Sequence, residues 1–274
     1  MRKTKALLLA GVLTLTLTAC KGAEDSTQTE EGTNPINIEE TDTTDAIGTT
    51  VEEGTTVEEG TGSALDEESA ADGHIDFAKV QESNPEVFAW IYIPETGIDE
   101  PVLQSAQSDT FYQNHDENGT ESDLGALYTE MPNNMNMCDF NTIIHGYDRK
   151  DTDLFYGLHQ FEDQDFFQNH ELIYLYMPDN VLTYEVVAAY YDDGSDILRR
   201  YDYTTYTGCE SYLEELFGGK SMAKHIREGW EDLTPYHFLL TLDGTVREDN
   251  TQYVVVAAMI QDAAGVIDRV IYEE

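Results

Sequence analysis

The composition of the chain changes abruptly near residue 74. Residues 21–73 consist mainly of Glu, Asp, Thr and Gly, and they repeat the hexapeptide GTTVEE at 48–53 and 54–59. A segment with so few large apolar side chains cannot bury enough surface to offset the conformational entropy that folding removes. We therefore expect residues 20–73 to form a disordered acidic tether, in preference to a dedicated binding tail, and residues 74–274 to form the packed domain.

The N-terminus has the pattern of an export signal. Arg2, Lys3 and Lys5 precede an apolar stretch over residues 6–18 that is too short for a comfortable transmembrane helix. Residues 17–20 read LTAC, which resembles the bacterial lipobox. That resemblance implies a lipoprotein signal peptide over residues 1–19, a lipidated Cys20, and export to the outer face of the cell membrane, on the cell-wall side. An ordinary cleaved signal or a short anchor is the alternative.

The net charge limits the possible partners. The chain has 55 acidic and 14 basic residues, a formal charge of −41. Nucleic acids and anionic lipid surfaces bind through positive patches, so this balance argues against both. Cationic partners, divalent ions or simple solubility remain compatible with it, and solubility is the preferred explanation.

Cysteines and clustered aspartates suggest a possible disulfide bond and a possible metal site. Cys138 and Cys209 are expected either to form a disulfide in the exported protein or to remain small buried side chains. Aspartates at 148, 151 and 153, and at 192, 193 and 196, could bind a hard cation such as calcium, but their spacing matches no EF-hand loop. We expect solvated acidic loops, and we predict no metal site and no cofactor.

Short apolar runs separated by turn residues dominate residues 74–274. Strands are expected at 87–94, 98–103, 141–145, 173–176, 182–189, 238–242 and 252–258, with helices at 75–83 and 211–217. This pattern predicts a mainly β fold, a closed β-barrel with short helices.

Several of these runs resemble class B sortases in order and spacing. Residues 141–148 read NTIIHGYD, and the family's active-site strand reads NTxIYGHN. The paired early motif of the family is matched by Trp90, Ile91, Ile93, Thr96, Ile98, Pro101 and Val102. The resemblance covers roughly residues 74–259. It implies a sortase-like barrel and a groove for an extended peptide, although class B sortases usually carry a transmembrane anchor instead of a lipobox.

The resemblance also locates the family's catalytic residues, and this chain has none of them. Tyr147 stands at the position of the family's histidine. The cysteine position falls on Gly244 or, one residue later, on Thr245, and the arginine position falls on Gln252 or Tyr253. We prefer Gly244 with Gln252, because residues 253–255 then match the aromatic-Val-Val that follows the family's arginine. Without thiolate, imidazole and guanidinium, sortase catalysis is not expected.

Two residues could rebuild a site. His145 lies two positions before Tyr147, so both side chains share a face if the strand continues; alternatively, His145 packs in the pocket of the family's tyrosine. Arg247 could reach the site on a shifted loop, although a surface position is preferred.

Three functions follow. The preferred one is an inactive, surface-displayed sortase-like module, a pseudoenzyme that binds an extended peptide, a sorting signal, a cell-wall component or a partner sortase. The alternative is an active cysteine or threonine transpeptidase or peptidase with a rearranged site. The third is a structural envelope lipoprotein without a groove. Retained aromatic and polar groove lining would separate the first from the third.

Overall fold

Runs of apolar residues form nine strands in a computed structural model of the chain, which describes residues 65, 68–150, 154–218, 224–269 and 271. The strands are β1 (Val87–Ile93), β2 (Ile98–Leu103), β3 (Leu127–Tyr128), β4 (Asn141–His145), β5 (Leu172–Met177), β6 (Asn180–Asp192), β7 (His225–Ile226), β8 (Leu239–Asp243) and β9 (Gln252–Asp262). The predicted signal peptide, Cys20 and nearly all of the tether lie outside the described residues.

The described helices are short. They are α1 (Phe77–Ser83), α2 (Gln164–Asn169), α3 (Ile197–Arg200) and α4 (Tyr206–Gly218), with 3₁₀ turns at Ala70–Asp72, Phe111–Gln113 and Tyr156–Glu162. Helix α4 begins five residues earlier than predicted. Its first turn, which contains Gly208 and Cys209, is held by the Thr205 hydroxyl, which accepts the Gly208 N–H at 3.1 Å.

The strands close into a barrel, which confirms the predicted fold class. Their order is β5-β1-β2-β3-β4-β8-β9-β6, and β6 pairs with β5 to complete the ring, while β7 adds to β6 outside it. Most pairs are antiparallel, but β4 and β8 run parallel, with His145 opposite Asp243. The C-terminal ends of β4 and β8 therefore meet at one end of the barrel.

Apolar packing on both faces of β8 explains why its sequence is a continuous apolar run. Leu240 and Leu242 belong to the largest core cluster, which takes side chains from all of the barrel strands. Leu239 faces a second cluster with α4, and the hydroxyl of Thr241 lies 3.4 Å from that of Tyr212 on the same helix. Because side chains on both faces of β8 are packed in this way, the packing fixes the residue at which the strand ends.

The packed part of the chain begins before His74. Ala70 is buried, and its N–H donates to Oδ1 of Asp99 at 2.9 Å. The same oxygen accepts the indole N–H of Trp90 at 2.7 Å, and Oδ2 accepts the Ser69 hydroxyl at 2.5 Å. One carboxylate thus ties the first described turn to the barrel.

Among the described residues, no helix is long and apolar enough to cross a membrane. Cys138 and Cys209 are both free thiols, so of the two states expected from the sequence the structure has the unbonded one. Cys209 is buried in α4, and its thiol donates to the carbonyl of Tyr203 at 3.2 Å.

Glu100 on β2 gives the fold a pH dependence. Burial, together with the negative charges of Glu117 and Asp99, raises the pKa of Glu100 to about 7. The folded state therefore favours the neutral carboxyl. The stability that this group contributes is complete below its unfolded pKa and is lost as the pH rises toward about 7.

We expect Glu100→Gln to raise the free energy of unfolding at pH 8 by roughly 1–3 kcal/mol, with little effect at pH 4. Urea unfolding of the full chain at both pH values measures this difference. Glu82→Gln, at an exposed position on α1, is the control. Equal pH dependence in the native protein and in Glu100→Gln would contradict the assignment.

Candidate functional site

A cleft of about 590 Å³ opens where β4 and β8 end. Its lining is mixed aromatic, apolar and polar: Tyr112, Gln113, Asp123, Leu124, Ala126, Tyr128, Glu130, residues 145–147, Arg149, residues 194–197, residues 243–246 and Gln252. The parallel pairing of the two strands brings residues 145 and 243 side by side although they are far apart in sequence.

Five of the candidate site residues named from the sequence line this one cleft, whereas Tyr253 and Arg247 do not. His145 and Tyr147 enter it from the end of β4, Gly244 and Thr245 from the end of β8, and Gln252 from the start of β9. The strand ends at His145, yet the side chains of His145 and Tyr147 both remain at the cleft wall. None of these five residues supplies a thiolate, and His145 supplies the one imidazole among them.

Gly244 has no room for a side chain. A Cβ atom added there would lie 2.1 Å from Oδ2 of Asp148, and Oδ1 of the same carboxylate accepts the N–H of Thr245 at 3.1 Å. Asp148 is 1% exposed. The carboxylate thus fills the space that a nucleophilic side chain at position 244 would need. The sequence carries no signal for this contact, because it joins residues almost 100 positions apart.

His145 is held by a carboxylate from the neighbouring strand. Its Nδ1 lies 2.7 Å from Oδ1 of Asp243, and its Nε2 lies 3.7 Å from Oε1 of Glu130. The ring of Tyr128 packs against it with centroids 5.0 Å apart. Burial alone would lower the pKa of His145, but the charges of Asp243 and Glu130 outweigh it and raise the pKa. The arrangement suits a charged imidazolium more than a neutral base.

An arginine that the sequence reading missed completes this wall. Arg199 on α3 places Nη2 at 2.5 Å from Oε2 of Glu130 and 3.3 Å from Asp109, while Nη1 lies 2.8 Å from Asp196. Its Nη1 and Nη2 atoms are therefore both paired with carboxylates. A cation bound in this way ties Glu130, Asp109 and Asp196 together beside the cleft.

Gln252 and Arg247 do not supply a positive charge to the cleft. The side-chain amide of Gln252 donates to the carbonyl of Ser195 at 3.5 Å, which ties β9 to the loop before α3. Arg247 lines a separate cavity, where its guanidinium lies 4.8 Å from the ring centroid of Tyr191. A surface position was preferred for Arg247, and its side chain is one-third exposed.

The expectation of solvated acidic loops is wrong for two aspartates. Asp148 is buried as described above, and Asp192 is half-buried, with its side chain 10% exposed and paired with Arg200. Arg200 also lies 3.4 Å from Asp193. In the described ranges no group of three or more His, Cys, Asp or Glu side chains could hold a metal ion; Asp151 and Asp153 lie outside those ranges.

Similarity to known proteins agrees with this geometry. No protein-family model matches the chain. The chain is 30% identical over 139 residues to Sortase B of Listeria monocytogenes, which covers 50% of this chain and 55% of that protein. It therefore spans about half the length of that relative. Sortase B of Staphylococcus aureus is 23% identical over 188 residues, 68% of this chain and 75% of that protein.

Solved structures match over a larger share of their length. A mutant form of Clostridium perfringens sortase B has 28% identity and a TM-score of 0.60, covering 68% of this chain and 86% of that one. A Staphylococcus aureus sortase B–substrate complex has 23% identity and a TM-score of 0.60, covering 68% of this chain and 84% of that one. These similarities support a class B sortase-like domain with the sortase B barrel.

The contact between Asp148 and position 244 can be measured. We expect Gly244→Ala to cost about 1–3 kcal/mol of unfolding free energy, because the new methyl group overlaps the carboxylate. Asp148→Ala is costly by itself, since it leaves the Thr245 N–H unpaired. The double variant should be more stable than the sum of the two costs predicts, by about 1–2 kcal/mol in urea unfolding.

The matched control is Gly218→Ala at the end of α4, where an added Cβ meets nothing within 4 Å. That change should stay within about 0.5 kcal/mol. If Gly244→Ala were tolerated as well as Gly218→Ala, the carboxylate would not fill the position.

The ion pair of His145 gives a second prediction. Asp243→Asn should lower the pKa of the imidazole, because the strongest attractive charge is removed while burial remains. An NMR titration of the His145 ring resonances measures this. Asp123→Asn, which removes another carboxylate of the same cleft, should leave the midpoint nearly unchanged. Identical midpoints in the native protein and Asp243→Asn would contradict the pairing.

Proposed function

We propose that this protein is a sortase-like binding module that holds an extended peptide in the cleft at the ends of β4 and β8 and does not catalyse transpeptidation. The peptide would be a sorting signal, a cell-wall peptide or a segment of a partner sortase. The observation that carries the proposal is that the cleft is open and lined by aromatic and polar groups, while the Asp148 carboxylate fills the space beside Gly244, where the resemblance to class B sortases puts the nucleophile.

Two features support a peptide as the ligand. Tyr128 and Tyr147 are aromatic residues of the cleft lining, and Leu124 and Val246 are exposed apolar residues of the same lining. Such a mixture of aromatic surface and a few polar groups is typical of ligand sites. The Staphylococcus aureus relative of known structure was solved as a substrate complex, and by similarity the same groove is the preferred site here.

The proposal includes the location of the protein. Lipidation at Cys20 would anchor the chain to the outer face of the membrane, and the acidic tether over residues 20–73 would hold the domain away from it. What supports this is the sequence pattern alone: a basic start, a short apolar stretch, LTAC and an acidic segment.

A second candidate function rests on one observation. Asp243 lies 2.7 Å from Nδ1 of His145 and directly precedes Gly244 and Thr245 in the same wall. A carboxylate that orients an imidazole beside a hydroxyl residue is the arrangement used to activate nucleophiles. Under this alternative, Thr245 would form the acyl intermediate in a rearranged peptidase or transpeptidase.

One experiment separates the two. The full chain is incubated with a panel of fluorescent sorting-signal peptides, and binding is followed by anisotropy while adducts and cleavage are followed by mass spectrometry. We expect saturable binding without adduct or cleavage. Leu124→Glu in the cleft rim should weaken binding roughly tenfold, since it removes apolar contact and adds charge. Ile260→Glu, exposed outside the cleft, should not.

An acyl adduct that disappears in Thr245→Ala and His145→Ala would establish the alternative. A combined Tyr147→His, Gly244→Cys and Gln252→Arg variant tests whether the groove remains suited to the reaction. We expect that variant to need Asp148→Ala as well before it cleaves peptide, because the carboxylate otherwise collides with the new cysteine. Absence of binding by any peptide in the panel would leave the structural envelope role as the better account.

A further inference from the structure

A second cavity of about 760 Å³ lies on the other side of Asp148 from the cleft. Arg149, from the loop after β4, and Arg247, from the loop before β9, both line it. The two loops are joined there, since Nη2 of Arg149 donates to the carbonyl of Val246 at 2.7 Å. Two guanidinium groups from distant parts of the sequence therefore meet at one cavity.

These two arginines differ from the other arginines of the barrel and α3. Arg199, Arg200 and Arg227 each lie within 3.6 Å of a carboxylate oxygen. Arg149 has no carboxylate partner among the described residues, and the nearest one to Arg247 is Oδ2 of Asp148 at 4.0 Å. Two arginines with no described carboxylate oxygen closer than 4.0 Å therefore line the same cavity of a chain whose formal charge is −41.

The carboxylates of this cavity already have other partners. Oε1 of Glu162 lies 2.6 Å from Nδ1 of His159 and accepts the hydroxyl of Tyr191 at 2.7 Å. Asp249 accepts the hydroxyl of Thr251 at 2.7 Å. His159 also contacts Asp148, with Nε2 at 3.2 Å from Oδ2. His159 thus lies between Glu162 and Asp148, and its Nε2 also lies 3.2 Å from Nη2 of Arg247. The remaining guanidinium N–H groups of Arg149 and Arg247 are the donors available to a ligand.

Each guanidinium is also fixed against an aromatic ring. Cζ of Arg149 lies 5.7 Å from the ring centroid of Tyr147, and Cζ of Arg247 lies 4.8 Å from that of Tyr191. Stacking of this kind orients the planar group and leaves its edge free for paired hydrogen bonds to a carboxylate. The guanidinium groups of both arginines are therefore oriented to bind an anionic oxygen ligand such as a carboxylate.

We propose that this second cavity binds the carboxyl end of a short zwitterionic peptide, with Arg149 and Arg247 taking its carboxylate. Glu162, Glu248 and Asp249 line the same cavity, so a multiply charged anion such as phosphate is repelled. In a ligand that carries a carboxylate and an ammonium group, the carboxylate pairs with the two arginines and the ammonium group pairs with the acidic side chains. The volume admits a peptide of a few residues, and Arg149 lines both this cavity and the cleft, whereas Arg247 does not line the cleft.

The test is a titration of the full chain with trialanine, followed through the guanidinium N–H resonances of arginine in NMR. We expect saturable shifts at Arg149 and Arg247. Because Arg247 does not line the cleft, its shift identifies the second cavity. Trialanine amide should bind at least about tenfold more weakly, since it lacks the charged acceptor.

Variants make the test specific. Arg247→Gln and Arg149→Gln should each weaken binding about tenfold, and Arg247→Lys, which keeps the charge without the planar fork, should fall between. Lys79→Gln, which removes a partly exposed cation on α1, is the matched control and should bind as the native chain does. Near-ultraviolet circular dichroism confirms that each variant is folded.

Three results would overturn the proposal. One is no saturable shift with trialanine, and another is equal binding of the acid and the amide. The third is tighter binding of inorganic phosphate than of trialanine, which would make the cavity an ordinary anion site. Unchanged affinity in the folded Arg→Gln variants would likewise exclude these arginines.

Discussion

The buried carboxylate of Asp148 joins the loop after β4 to the loop after β8. It accepts the N–H of Thr245, rests against the Cα of Gly244, and meets the imidazole of His159 from the opposite side. A carboxylate that is almost fully buried is costly unless such contacts satisfy it. This side chain therefore helps to fix the loop after β4 relative to the loop after β8, and it also lines the second cavity.

The barrel does not depend on this chemistry. Its core is built by apolar side chains that alternate between two covered faces of β8 and β9, and the site residues stand only where those strands end. A fold of this kind can lose catalytic groups at strand ends without losing its packing. The class B sortase-like barrel is therefore compatible with Tyr147, Gly244 and Gln252 at or near its strand ends.

In this strongly acidic chain, cationic side chains near the cleft form ion pairs with nearby carboxylates. Arg199 and Arg200 on α3 form ion pairs with nearby carboxylates. His145 at the end of β4 and His159 in the 3₁₀ turn that follows also lie beside carboxylates. Arg149 and Arg247 do not form such close pairs, since the nearest carboxylate oxygen to Arg247 lies 4.0 Å away, and this gives the second cavity a different electrostatic character.

The sequence by itself determined the strands, the barrel class and the positions at which a site would lie. It could do so because apolar runs and turn residues are local signals, and because the NTIIHGYD segment carries a resemblance in its residue types. It also placed His145, Tyr147, Gly244, Thr245 and Gln252 at one site. It did not place the start of α4, since Gly208 and Cys209 are poor helix formers and the helix there depends on a cap.

Only the tertiary structure decided what those residues touch. The contacts of Asp148 with Gly244, of His145 with Asp243, and of Arg149 with Val246 each join segments about 100 residues apart. They arise from the parallel pairing of β4 with β8, which a one-dimensional pattern does not encode. For the same reason the aspartates at 148 and 192 looked like solvated loop residues in the sequence, whereas in the fold Asp148 is buried and Asp192 is half-buried and paired with Arg200. Local residue preferences fix the elements, and the closure of the barrel fixes their partners.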